Sequence, residues 1–462
     1  MKKLLSAMLA LTMSVSLFSG CGTKKEDDGK INVTVGGWVS ETIPDEYKRV
    51  EKLRQDFMKK NSDINIIPDT YTFDVQTFAM KANGKQLPNV SGTYFTEIEN
   101  IMKQGYAREI TDVVKKWGYD KKLNPQFLKL VSDENGKIYG LPNSVYKTGL
   151  AINKSIFKKA GLVNADGSIK YPDTWEDVAE FSKIIKEKTG CAGLSFPTTN
   201  NCGGWLFLNI AWAYGADFVK LKDDGTWTST VDTPEMAEAL QYISDLKWKQ
   251  DGLLTDNAID LANARKYFSV GQAGMFICNP DSFGEFVSVY GMNKDDLAIV
   301  RMPKGPAGRF SQIGGGVTIF SNETSDEQVD AAFKWLETAD SYTPNLTDER
   351  IAHLDELYAK TVKDNGVVLP RESVYIWVNP EYKEKIDAVR QKYTNVNYND
   401  LADYYEADDV TIKPEPGACA QQLYTIMDKC IQEVITNKNA DISKLLKTAS
   451  KDYQKNHLDK MN

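Results

Sequence analysis

The sequence predicts an α/β protein built from two lobes, each with one β-sheet flanked by helices. The chain has 462 residues, which is more than one ordinary hydrophobic core holds and suits two lobes of roughly 200 residues each. Short apolar strands alternate with amphipathic helices along most of the chain, and glycine, proline and cap residues separate them. This alternation is typical of sheets covered by helices.

The first two structural units lie near the N-terminus. Residues 31–36 alternate apolar and polar side chains as a strand does, an amphipathic helix follows, and a second strand is expected around residues 64–67. Another strand is expected to end at residues 93–95. Ligands of open α/β sheets bind at the carboxyl ends of strands. The candidate ligand-binding residues here are therefore Trp38, Ser40, Glu41, Thr93 and Tyr94.

The middle of the chain carries clear helix boundaries. A short strand ends at Pro142, and a second strand at residues 149–153 leads into a helix that Gly161 should terminate. Thr174 is the expected N-cap of the next helix, with Asp177 three residues later. A strand at residues 193–197 then enters a polar, glycine-rich loop. That loop adds the candidate ligand-binding residues Asn200, Asn201 and Trp205.

Three further segments supply candidates. The buried strand expected at residues 275–277 is followed by Asn279 and Asp281. Residues 314–316 form a glycine turn that enters a strand and includes Gly315, but no Lys-Ser/Thr pair follows as it would in a phosphate-binding loop. Beyond Asp326 the chain is mostly helical, with Tyr375 and Trp377 in a break between helices.

The N-terminus has the features of an export signal. Lys2 and Lys3 precede an apolar run, residues 4–18, that is short for a bilayer span but typical of a secretory signal peptide. The run ends in Ser19-Gly20-Cys21, which resembles the cleavage box of bacterial lipoproteins. Cys21 would then be the lipidated mature N-terminus, residues 1–20 the signal peptide and residues 21–30 a tether to the outer face of the cell membrane. An ordinary signal peptide with an incidental cysteine is the alternative.

Composition narrows the chemistry. Removing residues 1–20 changes the formal charge from −8 to −10, which disfavours nucleic acid as a partner. The other five cysteines form no CxxC pair, although one disulfide, for example between Cys191 and Cys202, stays open. The two histidines, His353 and His457, lie in charged helical contexts and argue against a histidine triad or a His-rich metal site. We therefore expect no catalytic residue, no cofactor and no metal.

Aromatic residues point toward carbohydrate. Nine tryptophans and twenty-two tyrosines in an acidic exported protein would supply flat apolar surfaces with polar edges, against which sugar rings stack. Four aromatic residues lie in breaks or at strand ends and are the candidate platforms: Trp38, Trp205, Tyr375 and Trp377. Trp117, Trp175, Trp248 and Trp335 lie in amphipathic helices and are assigned to packing.

Five segments occur in the order seen in a known family. They are residues 139–142, 153–162, 174–176 and 271–277, and the glycines at 314–316 followed by residues 331–336. Together with the lipoprotein signal, they resemble the extracellular solute-binding proteins of ABC transporters, in particular the large group that captures sugars and oligosaccharides. The resemblance covers residues 31–333 and, more weakly, the C-terminal helices.

The resemblance implies a two-lobed periplasmic-binding-protein-like fold (type II) with ligand held between hinged lobes. It places the first lobe at residues 31–145 plus about 300–340 and the second at 146–299 plus about 341–462. The chain would cross the hinge near residues 145–149, 297–302 and 337–343. Tyr146, four residues after Pro142, matches a position that contacts ligand in the family. The partners implied are a sugar ligand and the permease subunits of an ABC importer, served by a lipid-anchored, extracytoplasmic monomer.

One departure from the family pattern leaves alternatives open. Many maltose-type members have a tryptophan after a Gly-Pro pair at the end of the 275–277 strand, whereas here Asp281 follows Asn279-Pro280. A carboxylate at this place would accept hydrogen bonds from vicinal hydroxyls.

Two alternative functions stay open. They are a binding protein or sensor for a non-sugar solute such as a peptide, and a membrane-anchored glycosidase with paired carboxylates such as Glu41 and Asp281. The sequence leaves the sugar and its chain length open.

Overall fold

The computed structural model describes residues 29–280, 282–339 and 343–461. The predicted signal peptide, Cys21, most of the predicted tether and Asp281 lie outside the described residues. None of the described helices combines the length and the apolar composition that crossing a bilayer requires.

Strands and helices alternate through the described part of the chain, which contains thirteen strands and seventeen α-helices. The strands are β1 (Ile31–Val35), β2 (Ile64–Pro68), β3 (Val90–Tyr94), β4 (Gly140–Lys147), β5 (Gly149–Asn153), β6 (Ala192–Ser195), β7 (Val219–Leu221), β8 (Trp227–Ser229), β9 (Ala273–Cys278), β10 (Leu297–Val300), β11 (Lys304–Gly305), β12 (Gly308–Phe320) and β13 (Thr411–Pro414). The helices are α1 (Pro44–Lys60), α2 (Phe78–Asn83), α3 (Phe95–Lys103), α4 (Thr111–Lys116), α5 (Pro125–Leu130), α6 (Lys154–Ala160), α7 (Trp175–Thr189), α8 (Cys202–Ala213), α9 (Pro234–Trp248), α10 (Leu261–Ser269), α11 (Ser282–Ser288), α12 (Asp326–Thr338), α13 (Asp348–Lys363), α14 (Pro380–Tyr393), α15 (Ala402–Glu406), α16 (Ala420–Thr436) and α17 (Ile442–Asn456).

The first sheet contains the predicted N-terminal strand-helix-strand unit. Its main path runs β11-β12-β3-β1-β2, with β4 and β13 also paired to β12. β1 and β2 are parallel, with Ile31 opposite Ile64, and α1 connects them. Proline at the start of α1 and two lysines in its last turn agree with the helix boundaries expected from the sequence.

The second sheet has the order β10-β5-β9-β6. All five residues of β5 and all six of β9 are buried, as in strands covered on both faces. The predicted caps are confirmed nearby. Thr174 and Asp177 form a capping box at the start of α7, and Gly161 ends α6 with a left-handed φ of 78°, a conformation that glycine adopts without steric cost.

β12 connects the two halves of the molecule. Its first part forms a hairpin with β11 and pairs in parallel with β13. Its second part pairs antiparallel with β4, which precedes β5 of the second sheet, and with β3. The chain therefore passes between the sheets at Thr148, between β4 and β5, and along β12.

Two separate hydrophobic cores lie on either side of β12. The first includes Val33, Ile66, Val317 and Phe333, and the second includes Leu150, Trp175, Met275 and Tyr424. α13 and α14 pack on the first core through buried side chains, namely Leu354, Tyr382, Ile386 and Val389. This packing differs from the sequence-based assignment of residues 341–462 to the second lobe. Val367 and Leu369, between α13 and α14, pack against the second core, and after α14 the chain enters that core at Leu401.

Candidate functional site

The crossing strands β4 and β12 position Tyr146. Tyr146 lies opposite Gly314, and Val145 lies opposite Gly315. A Cβ atom on Gly314 would collide with the Tyr146 hydroxyl, and one on Gly315 would collide with the Ser144 carbonyl oxygen and the Phe95 ring. The predicted glycine turn is therefore the middle of a strand, where missing side chains make room for the rings of neighbouring residues.

Trp205, which packs against the second core, lies next to Tyr146. It lies in the first turn of α8, and its ring is 6.0 Å from the Tyr146 ring in an edge-to-face arrangement. Both side chains are partly buried. Two of the residues expected from sequence to bind ligand are therefore in contact.

Glu415 joins these residues through its carboxylate. Oε1 accepts hydrogen bonds from the Tyr146 hydroxyl at 3.1 Å, from Trp205 Nε1 at 2.9 Å and from Gln312 Nε2 at 2.9 Å. Oε2 accepts one from the Tyr424 hydroxyl at 2.9 Å. Burial raises the pKa of Glu415, while these four hydrogen bonds oppose that shift. The carboxylate thus fixes side chains from β4, β12, α8 and α16 around one point.

Sequence reasoning missed Glu415. Its signal was present, because the residue follows β13 in a Pro-Glu-Pro-Gly break before α16, a position equivalent to those from which other candidates were chosen.

A fully buried polar network lies behind Glu415. Asn209 Oδ1 accepts from the Thr148 hydroxyl at 2.7 Å and from the Gln312 backbone N–H at 2.9 Å. Asn209 Nδ2 donates to Gln312 Oε1 at 3.2 Å, and the other side of the Gln312 amide donates to Glu415. Because buried amides are costly unless satisfied, these bonds hold the crossing at Thr148, strand β12 and Glu415 in one arrangement.

Tyr94 brings the first sheet into the site. It ends β3 opposite Gly316, is 49% exposed and packs edge to face on Phe73 at 5.4 Å. The pKa of Tyr146 is raised by burial first and by the Glu415 charge second, and the nearby Tyr94 also contributes. Tyr94 lies opposite Gly316 and Tyr146 opposite Gly314, two positions on the same face of β12, so both side chains lie on one face of the sheet. Tyr146 contacts Trp205, and we call these three residues the aromatic site.

The neighbouring side chain of β3 points the other way. Thr93 is 3% exposed, and its hydroxyl is buried without a hydrogen-bond partner in the described part of the molecule. Strand alternation explains the difference, since successive side chains lie on opposite faces. Thr93 belongs to the packed face rather than to the exposed one.

A second acidic side chain, Glu97, lies close enough to Glu415 to feel its charge. It lies in the first turn of α3 and is 8% exposed. Its carboxylate accepts a hydrogen bond from the Thr96 hydroxyl at 3.3 Å. Burial raises the pKa of Glu97, and the Glu415 charge raises it further. Sequence patterns gave no sign of it, because an acidic residue in a first helical turn is common.

Asn200 and Asn201 serve the attachment of α8 to α16. Both have positive φ, 57° and 68°. The Asn201 backbone N–H donates to Asp428 at 2.7 Å, and its side-chain oxygen accepts from the Thr425 hydroxyl at 2.6 Å. A Cβ on Gly204 would collide with the Tyr424 backbone. The glycine-rich loop is thus explained by close helix packing.

The remaining N-terminal candidates lie outside the aromatic site. Trp38 stacks on Trp335, with ring centroids 5.8 Å apart, and packs against the first core. Ser40 and Glu41 are exposed. Asn279 accepts a hydrogen bond from the Ser282 hydroxyl at 2.7 Å at the start of α11.

Two predicted aromatic platforms belong to the first core. Trp377 is 1% exposed, pairs with Leu123 in a β-bridge and packs on Tyr119, so it offers no open face to a sugar ring. The Tyr375 hydroxyl donates to the Asp387 carboxylate at 2.6 Å. The break between helices that suggested both residues is itself packed, which a sequence pattern does not reveal.

Cys191 and Cys202 are both free thiols. The disulfide that the sequence left open between these two is therefore absent. Among the residues that the structure describes, His, Cys, Asp and Glu form no group of three or more that could hold a metal ion.

Comparison with known sequences gives the family. The model of the bacterial extracellular solute-binding proteins matches residues 52–345. An arabinooligosaccharide-binding protein of Halalkalibacterium halodurans is 25% identical over 280 residues, 58% of this chain and 58% of the relative. The melibiose/raffinose/stachyose-binding protein MelE of Bacillus subtilis is 25% identical over 185 residues, 39% of this chain and 40% of the relative. The chain thus matches about two-fifths to three-fifths of these relatives' length.

A further relative is named for a different ligand. The sn-glycerol-3-phosphate-binding periplasmic protein UgpB of Agrobacterium fabrum is 26% identical over 263 residues, 53% of this chain and 56% of the relative.

Solved structures confirm the predicted two-lobed fold. The GacH receptor of Streptomyces glaucescens superposes with a TM-score of 0.65 at 21% identity, over 92% of this chain and 97% of the receptor. The substrate-binding protein Lmo0181 of Listeria monocytogenes, solved with cycloalternan, has a TM-score of 0.65 at 18% identity, over 92% of this chain and 99% of that protein. The family model spans well over half of the sequence, and the chain belongs to the bacterial extracellular solute-binding protein family.

Proposed function

We propose that this protein is the receptor of an ABC importer and captures a sugar or oligosaccharide between its two lobes. The observation that carries the proposal is the aromatic site, where Tyr94 from the first sheet, Tyr146 from the crossing strand β4 and Trp205 from the second core meet beside β12. The names of the two oligosaccharide-binding relatives support the same ligand class.

Aromatic rings beside carboxylates suit a glycan. The C–H faces of a sugar pack on flat rings, while its hydroxyls hydrogen-bond to tyrosine hydroxyls and to backbone groups. The exposed Tyr94 and the partly buried Trp205 lie on different lobes. A glycan that contacts both would favour the closed arrangement of the lobes, which is the state a permease recognises.

The domain division that fits the two cores is also a proposal. The first lobe would contain residues 31–147 and 317–389, and the second residues 149–302 and 401–461, joined by Thr148, β12 and the segment between α14 and α15. Within the first lobe, Val367 and Leu369 would contact the second. We propose that the protein acts as a monomer and delivers its ligand to the permease subunits.

Attachment to the membrane is proposed to occur through a lipid on Cys21. The support is the Ser19-Gly20-Cys21 ending of a short apolar run, since several acyl chains anchor a protein where one does not. A Cys21→Ser variant should move from the membrane fraction to the soluble extracytoplasmic fraction. Retention of the variant on the membrane as firmly as the wild type would contradict lipidation at Cys21.

We propose a receptor without catalytic activity. Proteins of this family are named for binding, and Glu41, one member of the carboxylate pair considered for a glycosidase, is exposed and lies outside the aromatic site. Incubation of the protein with neutral oligosaccharides should release no new reducing ends.

The main alternative to a sugar as ligand is an anionic solute, because one relative is named for sn-glycerol 3-phosphate.

A thermal-shift screen of the full mature chain tests the ligand class. A ligand at a hundred times its dissociation constant stabilises a protein by about 2.7 kcal/mol. We expect neutral oligosaccharides to raise the melting temperature, with the shift lost in Trp205→Ala. Trp248→Ala is the matched control, because Trp248 is a partly exposed tryptophan of α9 whose indole N–H donates to the Val434 carbonyl. Stabilisation by peptides or by glycerol 3-phosphate alone would contradict a sugar receptor.

A further inference from the structure

The hydrogen bonds of Glu415 favour its ionised form. Trp205 Nε1 and Gln312 Nε2 are N–H groups that only donate, and both bond to the same carboxylate oxygen. The hydroxyls of Tyr146 and Tyr424 occupy the remaining positions. Burial raises the pKa of Glu415, and these four hydrogen bonds oppose that rise. Because its own partners use its oxygens, Glu415 would act on a ligand through position and charge.

Among the described residues, the four hydrogen-bond partners of Glu415 are uncharged groups. The basic side chains of the surrounding elements pair elsewhere: Lys413 with Asp217, Arg309 with Asp173 and Asp409, and Lys103 with Glu99. Lys147 donates to the Tyr404 carbonyl oxygen. The negative charge beside Tyr146 and Trp205 is thus uncompensated.

Glu97 is a second acidic side chain and comes from the first lobe. It is close enough to Glu415 for the Glu415 charge to raise its pKa. Glu97 also occupies the first turn of α3, the end at which a helix attracts negative charge. An anion bound beside Tyr146 and Trp205 would therefore lie near two acidic side chains, and the helix end that could have stabilised it already has its own acid.

We infer that the aromatic site selects neutral glycans and rejects anionic ones, such as uronates and sulfate or phosphate esters, and that Glu415 is the positioning residue that sets this selection together with Glu97. The inference rests on the proposed function and narrows its ligand class. Like charges repel strongly where water is partly excluded, and salt screens such buried pairs weakly. Hydroxyl groups carry no net charge and suffer no such repulsion.

Calorimetry on the full mature chain tests this selection. The neutral probes are tetrasaccharides of glucose, galactose, mannose, xylose and arabinose. The anionic probes are the tetramers of galacturonic and mannuronic acid, together with glycerol 3-phosphate. We expect at least one neutral tetrasaccharide to bind, and every anionic probe to bind more than about tenfold more weakly.

Three variants test whether Glu415 and Glu97 cause the selection between neutral and anionic probes. Glu415→Gln and Glu97→Gln should each narrow the affinity ratio between neutral and anionic probes, whereas Glu356→Gln, which removes an exposed charge on α13, should leave the ratio unchanged. The affinity ratio between neutral and anionic probes is measured, rather than a single affinity, because Glu415→Gln also disturbs Trp205. That disturbance should shift the NMR resonance of the Trp205 indole N–H, which Glu97→Gln should leave in place. Glu97→Gln keeps the test informative if Glu415→Gln does not fold.

The outcomes separate this inference from the proposed function. Binding of a uronate tetramer as tightly as the best neutral probe would overturn charge selection while leaving a sugar receptor in place. An unchanged ratio in both glutamine variants would also overturn it, because the two carboxylates would then not be the cause. If none of the probes binds, the sugar-receptor proposal fails, and the inference fails with it.

Discussion

Residues near Glu415 show how one side chain determines the position of several others. Trp205, Tyr146, Gln312 and Tyr424 come from four elements, yet each donates to the same carboxylate. A ring held by a hydrogen bond at its edge loses little further freedom when a ligand binds its face. Trp205 should therefore act as a pre-positioned platform.

Truncation of Trp205 should affect binding more than folding. We expect Trp205→Ala to weaken binding of the best neutral tetrasaccharide by about 1–3 kcal/mol, because a partly exposed ring contributes mainly to the contact with ligand. Calorimetry measures the affinity, and urea denaturation measures the free energy of unfolding.

The matched control is Trp175→Ala in the second core. Trp175 is 0% exposed, so its loss should cost about 3–5 kcal/mol of folding stability. Normal binding by Trp205→Ala with only a lower melting temperature would place the ligand elsewhere.

Stability should depend on pH through Glu97. Burial, and then the Glu415 charge, raise the pKa of Glu97, so over a window above the unfolded value of about 4.3 the native state holds a proton that the unfolded state has lost. This group favours folding at low pH, and that contribution disappears as the pH rises through the raised pKa.

Glutamine imitates the protonated acid at every pH. The free energy of unfolding of the wild type, relative to Glu97→Gln, should therefore be higher at pH 5 than at pH 7 in urea titrations. A constant difference for Glu97→Gln would mean that folding leaves the pKa of Glu97 unchanged.

Single residues were predicted from sequence with mixed results, for a physical reason. Position at a strand end or in a loop suggested Tyr94 and Trp205, and the family resemblance suggested Tyr146; the structure places all three beside β12. The same rule also selected Trp377, which is buried, and omitted Glu415. Whether a residue in a break faces solvent or another element depends on tertiary packing, which neither periodicity nor turn chemistry encodes.

At the scale of elements, β12 has a strict steric requirement at two glycines. Tyr146 occupies the space where a Gly314 side chain would lie, and Phe95 and the Ser144 carbonyl occupy the space at Gly315. Gly314→Ala should therefore displace Tyr146 and lower the free energy of unfolding by about 1–3 kcal/mol, with weaker sugar binding.

Gly92→Ala in β3 is the control for this change, because a Cβ there meets no atom within 4 Å. Its effect on stability should stay within about 0.5 kcal/mol. Equal effects of the two substitutions in urea denaturation would show that close packing at Gly314 is not what requires a glycine.

Helix ends were easier to predict than helix partners. The capping box at Thr174 and the glycine cap at Gly161 follow from local hydrogen bonding and backbone conformation, which a short sequence window contains. The packing of α13 and α14 on the first core depends on contacts between distant parts of the chain. Their charged surfaces, with only Leu354, Ile386 and a few similar residues buried, left their lobe ambiguous in the sequence.

At the scale of the whole molecule, the connections between the two cores suit a hinge. Thr148 and β12 are held together by the buried network of Asn209 and Gln312, so bending should concentrate in the backbone around that network rather than break it.

The two-lobed architecture could be predicted because the order of strands, helices and glycine segments is a property of the sequence. The relative position of the lobes is not, since it depends on a small free-energy difference between arrangements.

Ligand should make the molecule more compact. Tyr94 and Trp205 come from different lobes, and a glycan that contacts both gains its full binding energy only when the lobes approach each other. We expect small-angle X-ray scattering to give a smaller radius of gyration when the best neutral tetrasaccharide saturates the wild type. Trp205→Ala at a saturating concentration of the same sugar should show a smaller change, because one of the two contacts across the cleft is missing. Trp248→Ala should compact as the wild type does. An unchanged radius of gyration for the saturated wild type would mean that the sugar binds without closing the lobes, and the permease would then have to recognise the ligand by other means.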